Sequence, residues 1–282
     1  MSLAEGFTFS QSSLQDFVDC RRRFQLRYLQ HLAWPAVQSE PILEAERTQQ
    51  RGALFHRMVQ QHLLGVPAER LVHRIDDGDL ERWWSNYLAF YKDLSGFGNL
   101  TGHGRLYPEI SLSGALNGYR LEAKYDLVTV TPDGRAVIYD WKTGRQRPKR
   151  PWLAGRLQTR LYPYLLARAG TQLNAGRGLL PEQIEMIYWF AGHPGQLERF
   201  AYSPQAFQED EVFLSDLIGT IQRLGEGDFP LTSDLRRCAY CIYRSLCERG
   251  VRAGDLDEAE VEAEVEELGM GIDFEQIGEI EF

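Results

Sequence analysis

The sequence has few cysteines and no long apolar run. Only four of its 282 residues are cysteine. No stretch approaches the roughly 18 uninterrupted apolar residues of a membrane helix, and residues 1–17 lack the basic start and apolar run of a secretory signal. These absences exclude a membrane helix, and we expect a globular protein of the cytoplasm with no membrane partner.

The sequence also lacks an excess of positive charge, since its formal net charge is -9. The acidic residues are unevenly spread, because residues 251–282 contain one base, Arg252, and twelve acids. Residues 1–250 keep 30 bases and 28 acids, a net charge of +2, with basic clusters at 21–23, 145–150 and 236–237. A domain over residues 1–250 with this charge can approach nucleic-acid phosphates. Such basic clusters are also common on solvated surfaces.

Hydrophobic periodicity predicts a mixed α/β protein. Helical spacing of apolar residues, with Ser10 or Ser12 as the first cap, covers 9–32, 51–64, 80–94, 158–169 and 204–224. A period of two predicts strands over 107–112, 119–130, 136–141, 184–191 and 199–202. Pro132-Asp133-Gly134 predicts a hairpin between the second and third strands. This order of elements is typical of a mixed sheet flanked by helices.

The four cysteines follow a pattern that suits metal ligation. Cys238, Cys241 and Cys247 form a C-x2-C-x5-C cluster, and Cys20 lies 218 positions upstream. Four thiolates suit either tetrahedral zinc or a [4Fe-4S] cluster, and the spacing alone does not choose between them. Two disulfides are the alternative, which a reducing compartment disfavours. A metal centre would tie the first helix to the last segment and stabilise the fold.

Two carboxylates and a lysine lie on neighbouring predicted strands. Asp126 is on one strand, and Asp140 and Lys142 end its hairpin partner. An acid inside an apolar strand must be paired or bind a cation, and the alternation of a strand points Asp140 and Lys142 to the same face. A bare D-x-K is more often a cross-strand ion pair at a sheet edge, and it is the spacing from Asp126 and the residues around the motif that favour a metal site. Glu109 could join these acids or lie on the surface, and we do not include it in the predicted site.

These residues and their surroundings resemble the PD-(D/E)xK nucleases, specifically the RecB-like branch with an iron–sulfur cluster. That branch includes AddB-type recombination nucleases and CRISPR-associated adaptation exonucleases. The resemblance covers about residues 9–250 and rests on the order of several short pieces: Ser13 to Phe17 leading into Cys20 to Phe24, Gly52 to His56, Asp126, Asp140 to Gly144, Gln158 with Tyr162, and the three C-terminal cysteines. One departure is Ala123, where the family usually has a glycine, and it raises the chance of altered activity.

The resemblance implies a restriction-endonuclease-like mixed sheet flanked by helices, closed by an N-terminal helix and a C-terminal cysteine module around an iron–sulfur cluster. We expect a single nuclease domain over 1–250, with its core at about 51–203 and its cysteine module at Cys20 plus 236–250, followed by an acidic tail over 251–282. The implied catalytic residues are Asp126, Asp140 and Lys142. The implied ligands of Mg²⁺ or Mn²⁺ are His56, Asp126, Asp140 and the backbone carbonyl of Trp141.

The same resemblance implies cluster ligands and substrate contacts. The ligands of the [4Fe-4S] cluster, or of zinc in its place, are Cys20, Cys238, Cys241 and Cys247. The substrate contacts are Gln158, Tyr162, Arg145 and Arg22, of which Gln158 and Tyr162 share a helix face.

The resulting hypothesis is a Mg²⁺- or Mn²⁺-dependent deoxyribonuclease. We expect an exonuclease or end-processing enzyme that acts on single-stranded DNA or DNA ends in repair, recombination or defence. One alternative is a catalytically silent module that binds DNA or a helicase, with an architectural metal centre, and another is a zinc-stapled regulatory protein. Residues 251–282 are either a disordered solubilising tail or a segment that binds a helicase or repair protein or occupies the DNA channel.

Overall fold

The computed structural model describes residues 3, 6–32, 40–72, 77–96, 104–225 and 227–250. The predicted acidic tail, residues 251–282, lies outside the described residues. Within the described part, no helix combines the length and apolar character needed to cross a membrane.

The N-terminal segment begins with strand β1 (Thr8–Ser10), which leads directly into helix α1 (Gln11–Asp19). The Ser10 Oγ atom accepts a hydrogen bond from the Ser13 N–H at 3.1 Å, and the Ser13 Oγ accepts one from the Ser10 N–H at 2.9 Å. This reciprocal cap satisfies two donors at the helix start, and it confirms Ser10 as the cap.

Cys20 interrupts the predicted first helix. Its extended backbone, with φ -161° and ψ 106°, ends α1 and precedes helix α2 (Arg21–Phe24), which continues as a π turn (Gln25–Leu29). The prediction of one helix over 9–32 is therefore wrong in two respects. Its first residues join a sheet, and the cysteine stands at a break in the helix.

The remaining elements follow the predicted order. The helices are α3 (Glu40–Leu63), α4 (Ala68–Val72), α5 (Gly78–Gly96), α6 (Arg150–Ala154), α7 (Leu157–Ala169) and α8 (Pro204–Arg223). The strands are β2 (Arg105–Leu116), β3 (Tyr119–Val130), β4 (Ala136–Lys142), β5 (Ile184–Phe190) and β6 (Glu198–Ala201). Short 3-10 turns occupy Gly170–Asn174, Pro181–Gln183 and Leu235–Cys238. The five predicted strands are confirmed, whereas β1, α4 and α6 were too short for periodicity to indicate.

The strands form one six-stranded mixed sheet in the order β1-β3-β4-β5-β6, with β2 paired to β3. Strand β2 runs antiparallel to β3 along its length, while β1 pairs in parallel with Arg120 to Glu122 and β4 pairs antiparallel with Leu127 to Val130. Strand β5 is parallel to β4, and β6 is antiparallel to β5. This arrangement confirms the predicted mixed sheet.

Two turns set the register of the central hairpins. Asn117 and Gly118 join β2 to β3, and both have positive φ angles of 51° and 81°, as a two-residue type I′ hairpin requires. The predicted Pro132-Asp133-Gly134 hairpin is confirmed between β3 and β4. There Gly134 has φ 87°, and the Thr131 N–H donates to the Arg135 carbonyl at 2.9 Å.

Helices cover both faces of the sheet. On one face, buried residues of α1, α2, α7 and α8 pack against β3, β4 and β5 in a core that includes Phe24, Tyr125 and Leu161. On the other face, α3 and α5 form an aromatic core with Trp83, Trp141 and Trp189 at its centre. Along β4, Ile138 belongs to the first core and Trp141 to the second, so the strand is buried on both sides.

Candidate active site

Asp126 and Asp140 lie where strands β3 and β4 separate. The two strands pair from Val130 and Ala136 as far as Leu127 and Tyr139, and the two aspartates follow directly. Instead of a further backbone pair, the Trp141 N–H donates to the Asp126 Oδ2 atom at 2.7 Å. The opening between the strands therefore holds both predicted acids.

Glu109 faces Asp126 across the β2–β3 pair. Pro108 pairs with Leu127 and Ile110 with Tyr125, so the register sets Glu109 opposite Asp126. Glu109 has φ 51°, a left-handed conformation that is uncommon for a residue with a side chain and that clusters at functional sites.

The alternation of buried side chains shifts by one residue at this pair. The side chains that pack on the first core change from odd to even positions in both strands: Tyr107 gives way to Ile110 and Leu112, and Tyr125 gives way to Val128 and Val130. The local distortion is thus shared by β2 and β3, and it is centred on the two acids.

His56 reaches this pair from helix α3. Its Nδ1 atom lies 3.2 Å from the Asp126 Oδ1 atom, and one ligand atom each from His56, Glu109 and Asp126 lie within 4.8 Å of one another. Lys124 forms an ion pair with Glu109, with its Nζ atom 2.8 Å from the Glu109 Oε2 atom. The structure thus brings Glu109, which the sequence prediction left out, into the same group as the predicted ligands His56 and Asp126.

Asp140, Lys142 and Gln158 form a closed, buried triangle. The Gln158 Nε2 atom donates to the Asp140 Oδ1 atom at 2.5 Å, and its Oε1 atom accepts from the Lys142 Nζ atom at 3.0 Å. The Lys142 Nζ atom is 3.1 Å from the Asp140 Oδ2 atom. Asp140 and Lys142 are each 2% exposed. The predicted common face of Asp140 and Lys142 is confirmed, and Gln158 from α7 is the side chain that joins them.

Tyr162 lies one turn beyond Gln158 on α7 and is buried. Its ring centroid is 4.8 Å from that of Tyr125, and its backbone carbonyl accepts from the Tyr125 hydroxyl at 2.9 Å. Burial, followed by the charges of Asp140 and Asp126, raises the pKa of Tyr162 well above its usual value. Its hydroxyl therefore stays protonated beside the acids.

The acids of the site have opposite pKa shifts. Burial raises the pKa of Asp140 to about 7, and the charge of Asp126 adds to this while Lys142 opposes it. Burial and the charge of Asp126 also raise the pKa of Glu109. Burial acts in the same direction on Asp126, but His56 and the Trp141 N–H outweigh it, so the pKa of Asp126 is lowered. Perturbed groups in one cluster are typical of a functional site.

The donor set suits a hard divalent cation. Carboxylate oxygens are the ligands that Mg²⁺ and Mn²⁺ prefer, and a histidine imidazole is a common metal ligand in proteins. Among the described residues, the buried Asp140 Oδ2 atom accepts no hydrogen bond of good geometry, although it contacts Lys142. A buried carboxylate oxygen that can accept a further interaction is suited to be a cation ligand. Trp141 contacts Asp126 through its N–H, and the role of its carbonyl stays a prediction.

The four cysteines line one small cavity, together with Arg23, Tyr243 and Arg244. None of them is disulfide-bonded. Burial raises the pKa of Cys241 to about 11, against the opposing charge of Arg23, and it also raises the pKa of Cys238 and of Cys247. The charge of Cys20 contributes to all three shifts, so the distant cysteine has come together with the C-terminal cluster.

The two predicted arginine contacts lie in different places. Arg145 is exposed on the loop that follows β4. Arg22 donates to the Gln25 Oε1 atom at 2.5 Å, and its charge acts on Cys247. The structure thus places Arg22 beside the cysteine cavity, whereas Arg145 follows the strand that carries Asp140 and Lys142.

The fold and this cluster of acids, histidine and lysine define a nuclease of the restriction-endonuclease-like class. The model of the PD-(D/E)XK nuclease superfamily matches residues 8–248, and the chain belongs to this superfamily. This confirms the superfamily predicted from the motifs, while the iron–sulfur branch stays a prediction.

The solved structures that align with the chain include two of low sequence identity. SSO0001 is 14% identical with a TM-score of 0.40, and the alignment covers 86% of each chain. A protein from Eubacterium rectale, described as a candidate exonuclease, is 12% identical with a TM-score of 0.49, covering 78% of this chain and 82% of that one. No curated protein matches the chain.

Proposed function

We propose that this nuclease is a Mg²⁺- or Mn²⁺-dependent deoxyribonuclease, an exonuclease or end-processing enzyme that acts on single-stranded DNA or DNA ends. The observation that carries the proposal is that two sets of side chains lie together where β3 and β4 separate. One is the cluster of His56, Glu109 and Asp126. The other is the buried pair of Asp140 and Lys142, 3.1 Å apart.

In this proposal, His56, Glu109, Asp126 and Asp140 hold the divalent ion. His56, Asp126, Asp140 and the backbone carbonyl of Trp141 are the ligands that the resemblance implied, and Glu109 is added because its carboxylate lies with His56 and Asp126 in one cluster. When bound, such an ion supplies an activated water and neutralises the charge that develops on the phosphate. Because a carboxyl must lose its proton to act as a ligand, the raised pKa values of Asp140 and Glu109 mean that protons compete with the ion more strongly there than at ordinary carboxyls.

Lys142 is the proposed cationic group at the reacting phosphate. Its ammonium is held by the Gln158 Oε1 atom and Asp140, and its position over the Tyr188 ring, with Nζ 5.5 Å from the centroid, limits its movement. A preorganised cation in a site of low solvent exposure stabilises developing negative charge strongly. Lys142 would therefore orient the attacking water and offset the charge on the phosphate.

The proposed substrate is DNA, approached from the side where β4 ends. The charge balance of residues 1–250, which is +2 without the acidic segment, permits contact with phosphates. Arg145 is exposed just beyond Lys142, and we propose that it contacts the strand. The biological setting that we propose is DNA repair, recombination or defence.

The cysteine module is proposed to hold a [4Fe-4S] cluster, with zinc as the less favoured occupant. Its support is the convergence of all four thiols on one cavity, which joins the break after α1 to the C-terminal segment. Purified protein that is brown and absorbs visible light would support the cluster, whereas a colourless protein with bound zinc would reject it. We propose the cytoplasm as the compartment, where cysteines stay reduced and able to bind a metal centre.

The decisive experiment is cleavage of end-labelled single-stranded and duplex DNA by anaerobically purified protein with Mg²⁺, Mn²⁺ or a chelator. The test variant is Lys142→Ala, and the matched control is Lys92→Ala, which removes an exposed lysine on α5. Cleavage that requires metal, disappears in Lys142→Ala and persists in Lys92→Ala is expected. Intact DNA with measurable binding would instead identify a catalytically silent DNA-binding module.

A further inference from the structure

The start of helix α7 is held by a side chain from α1. The backbone N–H groups in the first turn of a helix have no partner within the helix, and Arg156, the cap residue of α7, provides no side-chain hydrogen bond to them. The Gln15 Oε1 atom accepts from the Leu157 N–H at 3.0 Å instead. Gln15 is 5% exposed and Leu157 is 1% exposed, so water does not readily replace this bond.

Gln158 is the next residue along α7. Its amide donates to Asp140 and accepts from Lys142, so the position of Gln158 determines how the two side chains lie relative to each other. Its backbone is fixed by the turn that Gln15 caps. The single hydrogen bond at Leu157 thus lies one residue from the amide on which the active-site triangle depends.

Gln15 is itself held by Asp19. The Gln15 Nε2 atom donates to the Asp19 Oδ1 atom at 2.9 Å, which fixes the orientation of the amide and directs its oxygen to Leu157. The Asp19 carboxylate also lies 3.5 Å from guanidinium nitrogens of Arg156 and Arg237. Arg156 precedes α7 and Arg237 precedes Cys238, so this carboxylate joins the cap to both neighbouring segments.

We propose that Gln15 is a positioning residue of the active site, which aligns Lys142 and Asp140 through the first turn of α7 and Gln158. The proposal rests on the proposed nuclease function. It predicts that loss of the Gln15 amide changes the rate of the chemical step, with little change in DNA binding, because Gln15 lies in α1 and acts through Gln158.

The first test compares Gln15→Met with Ser13→Ala. Methionine has a similar length but offers no acceptor of comparable strength, whereas Ser13 is buried in the same helix and its side chain bonds to Ser10. We expect kcat of Gln15→Met to fall about tenfold, on the scale of a small misplacement of a reacting group, with KM for DNA within about twofold of wild type. Ser13→Ala should lower the melting temperature with kcat unchanged. A similar loss of kcat in both variants would overturn the proposal.

Two further variants separate positioning from a general structural role. The exchange variant, Gln15→Glu with Asp19→Asn, keeps an acceptor for Leu157 and a hydrogen bond between the two side chains, so it should recover kcat relative to Gln15→Met. In a Gln158→Ala background, Gln15→Met should have no further effect on kcat, because its route of action is already lost. Failure of the exchange to recover kcat, or additive losses in the double variant, would reject the proposal.

Hydrogen exchange tests the cap without relying on activity. The Leu157 and Gln158 amides should exchange faster in Gln15→Met than in wild type, and Ser13→Ala should leave them unchanged. A wild-type protein that cleaves no DNA would overturn the proposed nuclease function. Unchanged exchange in Gln15→Met, with an active wild type, would overturn the positioning role alone.

Discussion

Replacing Gly52 by alanine should displace helix α3 and reduce activity more than it reduces stability. An alanine Cβ at this position would lie 2.8 Å from the Thr143 Oγ1 atom. Ordinary contact begins at 3.4 Å, so α3 or the end of β4 must move by about 0.6 Å, the kind of shift that overpacking forces. Thr143 is 1% exposed and cannot turn into solvent. His56 lies one turn along α3 from Gly52 on the same face, so the displacement should reach the proposed metal site.

The expected magnitudes follow from two opposing effects on stability. Overpacking costs about 1–3 kcal/mol, and replacing glycine by alanine inside a helix recovers about 1 kcal/mol. The net loss of stability should therefore be about 0–2 kcal/mol, from the difference of these values. A shift of this size in a group at the reacting centre can lower the rate on the order of tenfold or more. Activity and stability should thus separate clearly.

The assay compares kcat on end-labelled DNA at saturating Mn²⁺ with the melting temperature. The matched rescue is Gly52→Ala with Thr143→Ala, because the nearest remaining atom, the Thr143 Cβ, is 3.9 Å away. Thr143→Ala alone is the control for the loss of the hydroxyl. Wild-type activity in Gly52→Ala, or a double variant as inactive as Gly52→Ala, would refute the reasoning.

The further predictions concern the proposed metal site and the cysteine module. Glu109→Gln should weaken Mn²⁺ binding about tenfold or more, as for other residues that support a metal, measured by calorimetry, and an unchanged Kd would remove Glu109 from the site. Because burial raises the pKa of Asp140 to about 7, Mn²⁺ affinity should rise as the pH increases from 5 to 8. In metal-free protein, between the unfolded and folded pKa values, the folded state keeps the Asp140 proton that the unfolded state has already lost. The contribution of Asp140 to stability should therefore fall as the pH rises from about 4 to about 7. A pH-independent affinity would contradict this assignment. Cys238→Ser should lower the melting temperature and speed exchange at Leu157, since Asp19 links the two regions, and unchanged exchange would separate the module from α7.

Local signals predicted the hairpins and part of the site. Strand β3 begins and ends at the predicted residues, 119 and 130, because its period of two and its flanking turns are properties of adjacent residues. The common face of Asp140 and Lys142 follows from the same period. The order of the motifs predicted that Asp126 and His56 lie close together in space. They are 70 residues apart in the chain, so a local pattern alone could not predict this contact.

Non-local pairing explains what the sequence prediction missed. Strand β1 has three residues and pairs in parallel with Arg120 to Glu122, more than a hundred positions away, so no local period indicated it. Glu109 could have been found by counting. The Asn117-Gly118 turn sets Leu116 opposite Tyr119, and seven residues further along each strand this register sets Glu109 opposite Asp126. The Gln15 contact with Leu157 depends on tertiary packing and had no comparable signal.

The burial of Asp140 and Lys142 favours chemistry over a purely architectural role. Both side chains are almost completely buried and lie 3.1 Å apart. Removing two charges from water often costs more than their attraction returns, and an apolar pair of similar volume is commonly as stable or more stable. The sheet already has apolar packing at this strand through Ile138 on one face and Trp141 on the other. A module that only binds DNA has no need of such a pair beneath its surface. The proposed phosphodiester hydrolysis would use a carboxylate for the metal and a cation near the phosphate, and under this proposal both charged residues have a role.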